Sequence, residues 1–268
     1  MFKFISFGSG SSGNCYYLYT ENTGVLVDVG IGIRKLKNFF HDYGLDFVGG
    51  IDAILVTHDH ADHVKSVGSI SKKLELPVYA TRMVHSGMDK NVCMRNKLQQ
   101  DKRRYVEPCT SFCVGDFCIT PFAVPHNSTE NVGYTIKCSD IVFTLLTDVG
   151  HITEEISAVI RNSDYLVIEA NYDERMLETG PYPYYLKEKI RSGHGHLDNV
   201  FCGKALADNY TPRLRHVWLC HLSEENNKPE IAYGCVSGAL ENIGVRVGGD
   251  LQVDVLRRKL ATGVFNLE

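Results

Sequence analysis

One recurrence constrains this chain more than any other feature. An apolar, strand-like run stops, and a polar residue of the metal-binding kind follows almost at once. VLV precedes Asp28, ILVT precedes His58, AVP precedes His126, LLT precedes Asp148, LVI precedes Glu169 and WLC precedes His221. Sheets that present side chains from their strand ends build one site out of distant sequence. The densest instance is His58-Asp59-His60-Ala61-Asp62-His63, three imidazoles and two carboxylates in six residues after a buried strand. A short loop of that composition can aim alternate side chains at two nearby points. Neutral imidazole suits zinc, iron or manganese-like ions.

Composition supports a globular reading. The chain has 268 residues, of which 44% are hydrophobic and 22% charged. Such a chain can bury a sizeable core, and the values exclude disorder, collagen and coiled coil. No apolar run is long enough for a membrane span. The start, MFKFISFGSG, lacks a basic segment leading into a long apolar stretch, so no signal peptide is expected. Nine cysteines, an odd number, then imply free thiols in a reducing cytoplasm. Cys109, Cys113 and Cys118 match no zinc spacing and read as residues of two strands around a Val-Gly-Asp turn. The formal net charge of −4 gives no global attraction to nucleic acid but leaves room for a local basic patch.

Periodicity places strands at FKFISF, CYYLYT, VLVDVG, IDAILVTH, PVYA, FCVGDFCITPFAV, VGYTIKC, IVFTLLTD, YLVIEA and HVWLCHL. Helical spacing appears in Ile33, Leu36, Phe40 and Tyr43, and again in Val64, Val67, Ile70 and Leu74. Further helices are expected over about 153–161, 197–208 and 229–243, and edge strands at VRVGG and LQVDVL. Strands fall in two blocks, each followed by helices. The fold class expected is α+β: two mixed sheets packed together with helices on both outer faces, a four-layer αββα sandwich. No repeat or linker divides residues 1–268, so one domain is expected.

His58, His60, Asp62 and His63 form the pattern H-x-H-x-D-H, which resembles the signature of metallo-β-lactamase-fold hydrolases. Asp28, His126, Asp148 and His221 follow the family's further motifs in order, from about residue 5 to residue 225. The resemblance implies one divalent metal held by His58, His60 and His126. It implies a second held by Asp62, His63 and His221, with Asp148 bridging, and zinc as the first expectation over manganese or iron. Asp28 would orient a ligand imidazole from behind. Two such cations acidify a bound water and clamp an oxyanion. His41, His85, His151, His194 and His216 fit no ligand position.

Glu169, then Gly195-His196, then Leu219-Cys220-His221-Leu222-Ser223 are similar to the phosphodiesterase branches of the family. The resemblance implies that His196, oriented by Glu169, protonates the leaving sugar oxygen. GSGSSGN near the start, GPYPYYLKEKI and LSEENN resemble the small bacterial YycJ/WalJ/VicX-type proteins, which implies a nuclease with 5′-to-3′ exonuclease activity on DNA. Asp198 departs from that group, where Ser or Thr is usual. Ser11, Ser12 and Asn14, in the loop Ser9–Asn14, could meet a phosphate or simply make a tight turn. Lys187, with Lys189, Arg191, Lys204 and the tyrosines at 182, 184 and 185, reads as a base-stacking basic surface or as a solvated helix face. The basic run Lys102-Arg103-Arg104 reads as surface. The alternatives are a thioester or lactone hydrolase of the same fold, or an RNA-processing nuclease. Glu169 and His196 argue against the first, and the interval from Asp148 to His221 is too short for the inserted clamp domain of the large RNA-processing enzymes. No membrane and no obligate protein partner is indicated.

Overall fold

A computed structural model describes residues 1–268 throughout. Two seven-stranded sheets pack face to face. The first contains β1 (Phe2–Gly8), β2 (Cys15–Tyr19), β3 (Gly24–Val27), β4 (Ala53–Leu55), β5 (Val78–Ala80) and β6 (Arg103–Tyr105), with β14 (Phe265–Leu267) on the other edge. The second runs from β7 (Phe112–Val114) through β8 (Phe117–Ala123), β9 (Val132–Cys138), β10 (Ile141–Leu146), β11 (Tyr165–Glu169) and β12 (His216–Cys220) to β13 (Gln252–Val255). Pairing is mixed: β3 to β6 run parallel, as do β10 to β13, and the remaining pairs are antiparallel.

Three apolar layers follow from the alternation of side chains along each strand. On β1, Phe2 and Phe4 face the second sheet, where they meet Phe117, Phe143 and Trp218. Ile5 and Phe7 face the other way, toward Leu36 and Phe40 of α1 (Ile33–Asp42) and the helices α2 (Ala61–Val64), α3 (Val67–Leu74) and α4 (Arg82–Lys90). On the far side, α5 (Glu154–Arg161), α8 (Asn199–Asn209) and α9 (Pro229–Glu241) cover the second sheet through Ile156, Leu206 and Val236. Strands buried on both faces read as continuous apolar runs, as VLV, AIL and YLVI do. The αββα arrangement is therefore the one expected from the sequence. No helix is long and apolar enough to cross a membrane.

Several local expectations are revised. The stripe Val64–Leu74 is two helices, α2 and α3, broken at Lys65-Ser66. IDAILVTH contributes only Ala53–Leu55 to the sheet. VRVGG makes a single bridge from Val247 to Leu251, whereas LQVDVL does supply the edge strand β13. The basic run Lys102–Arg104 is partly the edge strand β6, with Arg103 paired to Asp89. The stretch GPYPYYLKEKIR folds into α7 (Tyr184–Arg191), beside the short α6 (Glu174–Thr179). Cys113 and Cys118 are cross-strand neighbours at the β7–β8 turn, and all nine cysteines are free.

Candidate metal centre

The strand-end residues converge on one edge. The carboxyl ends of β3 and β4 deliver Asp28 and the His58 loop, and those of β10, β11 and β12 deliver Asp148, Glu169 and His221. A backbone bond from Val132 N–H to Thr57 O joins the two sheets beneath them, and one from Asn14 N–H to Asp62 O ties the loop before β2 to α2. Asp28, Asp148 and His221 all sit at positive φ, 59°, 56° and 53°. Positive φ is uncommon for non-glycine residues, although Asp and His adopt it more readily than most. Here it turns three side chains from the strand line into the common site.

The ligand-type atoms form interlocking groups. Nitrogens of His58, His60 and His126 lie within 4.8 Å of one another, as do the ligand atoms of Asp62, His63 and His221. Asp148 lies between them: its Oδ2 is 3.2 Å from His63 Nε2 and its Oδ1 is 3.7 Å from His126 Nε2.

The outward-facing nitrogens are chosen from behind. His63 Nδ1 donates to Asp28 Oδ2 at 2.7 Å. The Thr57 hydroxyl donates to the same Asp28 oxygen, which leaves it free to accept from His58 Nδ1 at 3.0 Å. His126 Nδ1 donates to Gly195 O at 2.8 Å, and His221 Nδ1 to Glu169 Oε1 at 2.9 Å. In each case Nε2 is the nitrogen left facing the centre. For His58 and His126 that atom is buried without any hydrogen-bond partner. A buried imidazole nitrogen left unpaired is costly, unless a cation takes its lone pair. The donor set, imidazoles with shared carboxylates, therefore fits a divalent metal.

Electrostatics divide the site in two. Burial lowers the pKa of His58 and His60, and lowers that of His126 to about 4, so these imidazoles are neutral donors. Burial also opposes protonation of His221, but Asp148, Asp62 and Glu169 overcome it and raise its pKa to about 10. His63 is raised likewise by Asp28, Asp148 and Asp62 against burial. The same negative potential would favour a cation.

Residues 23–221 match the family model described as a beta-lactamase superfamily domain. The chain belongs to that superfamily. It is 32% identical to exodeoxyribonuclease YycJ of Bacillus anthracis, over 96% of both chains. It is 32% identical to exodeoxyribonuclease WalJ of Streptococcus pneumoniae strain D39, over 94% of this chain and 93% of that one. In fold it is similar to the metallo-beta-lactamase fold protein YhfI from Bacillus subtilis, with a TM-score of 0.71 and 16% identity over 97% and 98% of the two chains. This superfamily member is thus a metal-dependent hydrolase, and its fold implies divalent metal binding at a His/Asp cluster.

Glu169 and His196 adjoin that cluster, with ligand-type atoms within 4.8 Å of those of Asp148 and His221. His196 Nδ1 is 2.8 Å from Glu169 Oε1, and its side chain is 21% exposed. Gly195 is required by contact, because a Cβ there would come within 2.0 Å of Ile190 O at the end of α7. Glu169 is fully buried and does more than orient His196. It also receives His221 Nδ1, Val149 N–H and Leu197 N–H, so it ties three site loops together. Burial pushes its pKa up, but His196 and His221 hold it down to about 2.

The other expected contact residues have varied surroundings. Asn14 is fully buried: its Oδ1 accepts from Gly10 N–H, while Nδ2 lies 2.9 Å from His63 Nε2 and 3.3 Å from Asp62 Oδ2. Ser11 and Ser12 remain exposed at the loop tip. Lys187 donates to the Glu178 carbonyl oxygen, and Arg191 pairs with Glu174, Glu178 and Glu188, so of the α7 cations Arg191 is the one held in ion pairs. Tyr184 and Tyr185 are exposed, whereas Tyr182 packs on a small cluster of Tyr172, Leu177 and Ile190. Asp198 is the N-cap of α8, accepting from Val200 and Phe201 N–H, a role Ser or Thr also fills. His41, His85, His151, His194 and His216 stand outside the cluster.

Sequence reasoning missed Thr57, Ser9 and Asn171. The Ser9 hydroxyl accepts from His221 N–H, and Asn171 Nδ2 donates to His221 O. Thr57 directly precedes His58, and Asn171 stands two residues past Glu169, but nothing in their spacing marks either as a bracing residue.

Proposed function

We propose that this hydrolase is a dinuclear metal-dependent nuclease acting on DNA, and that residues 1–268 work as one metallo-β-lactamase-like domain without an inserted clamp. His58, His60 and His126 would hold one divalent cation and Asp62, His63 and His221 the other, with Asp148 shared; zinc is the first expectation, manganese or iron the next. When bound, such cations acidify water and stabilise charge on a phosphoryl oxygen.

The observation that carries the reading is the Glu169–His196 pair. His196 is anchored through Nδ1 by an ionised, buried carboxylate, which leaves Nε2 for a reacting group. It borders a cleft of about 600 Å³ also lined by Tyr172, Leu197, Phe201 and Lys204. A proton donor held there suits a poor leaving group, such as the sugar oxygen of a phosphodiester. Thioesters and lactones need it less. Asp28, with Thr57, holds the imidazoles His63 and His58 in one tautomer, and Glu169 does the same for His221 and His196. The relatives' names support DNA as the polymer and digestion from an end, with the 5′-to-3′ direction implied by resemblance. Nine free thiols support a reducing, cytoplasmic setting.

The test is an assay of metal-loaded protein on end-labelled single- and double-stranded DNA and RNA, with bis-p-nitrophenyl phosphate and a glutathione thioester alongside. DNA should be degraded, with the small diester cleaved more slowly. Turnover of the thioester faster than every phosphodiester would overturn the reading.

A further inference from the structure

The strand-end rule that assembles the site extends one strand further than the catalytic motifs do. In the second sheet, β10, β11, β12 and β13 run parallel in that order, and their carboxyl ends share one edge. The first three end at Asp148, Glu169 and His221. The fourth, from the run LQVDVL, ends at Arg257-Arg258-Lys259. Neighbouring strands lie about 4.8 Å apart, so these cations emerge about one strand spacing beyond His221, on the flank away from Glu169.

The turn after β13 is fastened to the site. Leu256 N–H donates to Leu219 O, and Ser9 N–H reaches the carbonyls of Arg257 and Arg258. The stem of Arg258 lies on Gly10, where a Cβ would come within 3.2 Å of its Cγ. Arg258 Nη1 donates to Ser223 O, two residues past His221, at 2.8 Å. That is the only hydrogen bond the structure gives this guanidinium, so its remaining N–H groups are available at a half-buried position between two site loops. The side chain of Arg257 is exposed and makes no ion pair. Lys35 joins them from α1, donating to Lys259 O. Burial and the ammonium of Lys259 both lower the Lys35 pKa, a sign of crowded like charges. Ser11 and Ser12 are exposed on the adjoining loop, and their N–H groups make no backbone hydrogen bond. Glu224, paired with Lys259, and Glu225 are the acids of the loop after His221, so cations predominate in a chain of net charge −4.

We propose that Arg258 and Arg257, with Lys35 and the Ser11–Ser12 loop, form a phosphate subsite that holds the neighbouring phosphate of the substrate strand on the flank of the metal centre opposite His196. The inference rests on the nuclease reading and deepens it. Planar guanidinium groups match phosphate oxygens in bidentate fashion, and phosphate contacts fix register without reading sequence. The strand would then lie across the site, clamped on one side and protonated on the other. Arg191 of α7, by contrast, is committed to Glu174, Glu178 and Glu188.

The test uses a single-stranded DNA 20-mer with a 3′-fluorescein and either a 5′-phosphate or a 5′-hydroxyl. Binding is read by anisotropy in chelated protein, so that no turnover is needed, and cleavage is read with metal. Arg258→Gln keeps a donor for Ser223 O, and Arg257→Ala removes a side chain with no structural partner. Each should weaken binding and raise KM on DNA about tenfold, and lower the salt slope of binding by about 1. The loss on bis-p-nitrophenyl phosphate, too small to span both places, should be much smaller. Lys72→Ala, which removes an exposed charge from α3, should change DNA binding by less than about twofold, as for an ordinary surface site. A loss confined to the 5′-phosphorylated strand assigns the subsite to a terminal phosphate; equal losses on both strands assign it to an internal diester. DNA binding unchanged in both arginine variants would overturn the proposal, as would parallel losses on the small diester. Wild-type protein that binds DNA through these arginines but cleaves no diester would refute the nuclease reading and leave the subsite standing.

Discussion

His196→Ala separates proton donation from everything else the site does. The side chain has one hydrogen bond, to Glu169, and is partly open to solvent. Its removal leaves Glu169 bound to His221 Nδ1, Val149 N–H and Leu197 N–H, so the cluster itself should hold. A positioned general acid contributes typically ~10²–10⁴-fold, or about 3–5 kcal/mol of barrier. That loss is expected on DNA, whose leaving group is an alkoxide. A p-nitrophenolate leaves almost unaided, so bis-p-nitrophenyl phosphate should lose less than about tenfold on the same reasoning. Both substrates use the same metals, which makes the ratio of the two losses the quantity to measure, with metal content checked by elemental analysis. Glu169→Gln is a harsher change than its distance from the substrate suggests. One Gln face carries N–H groups and cannot accept from both the imidazole pair and the backbone pair. It should cost the acid function, the orientation of His221, and about 1.5–3 kcal/mol of stability for each buried charged hydrogen bond lost. Equal losses on the two substrates in His196→Ala, with full metal content, would refute the general-acid role and leave His196 as a residue that positions substrate.

Elemental analysis should find close to two divalent ions per chain; His58→Ala should lower the count by one and Asp148→Ala should weaken both positions. Asp28→Asn should weaken metal affinity about 10–100-fold although Asp28 is not itself a proposed ligand, because it orients His63 directly and His58 through Thr57; unchanged affinity in a competition titration would remove that bracing role. Gly30→Ala should disable the site, since a Cβ there would lie 1.6 Å from Asp62 O and 2.9 Å from Asn14 N, and a folded variant with wild-type metal content would show that the loop can yield. His85, with Nε2 on Arg104 O and Nδ1 buried and unpaired, has its pKa lowered by burial. The unfolded chain then binds the proton first, so stability should fall as pH drops below about 6.5, with a slope of at most ~1.4 kcal/mol per pH unit from this residue. Denaturant titrations of wild type and His85→Leu between pH 7 and 5 should differ in that slope.

Much of this protein was legible in its sequence because the informative signals are local. Strand runs that end in Asp28, His58, Asp148, Glu169 and His221 announce themselves over a few residues, as does the stripe of Leu36 and Phe40 on α1. Their order is enough to place the residues on one edge of a two-sheet sandwich. Tertiary structure decided what depends on partners distant in the chain. Only there does Glu169 serve His221 as well as His196, does Thr57 relay Asp28 to His58, and does Asn14 turn inward onto His63. Only there is Arg191 of α7 seen against the glutamates of α6, and the Arg257–Lys259 run against the loop of Ser9. The left-handed backbone of Asp28, Asp148 and His221 belongs to the same class. Positive φ is uncommon for any non-glycine residue, Asp and His included, and it persists here because hydrogen bonds to segments distant in the chain, such as Leu55, Asn131 and Ser9, hold the backbone.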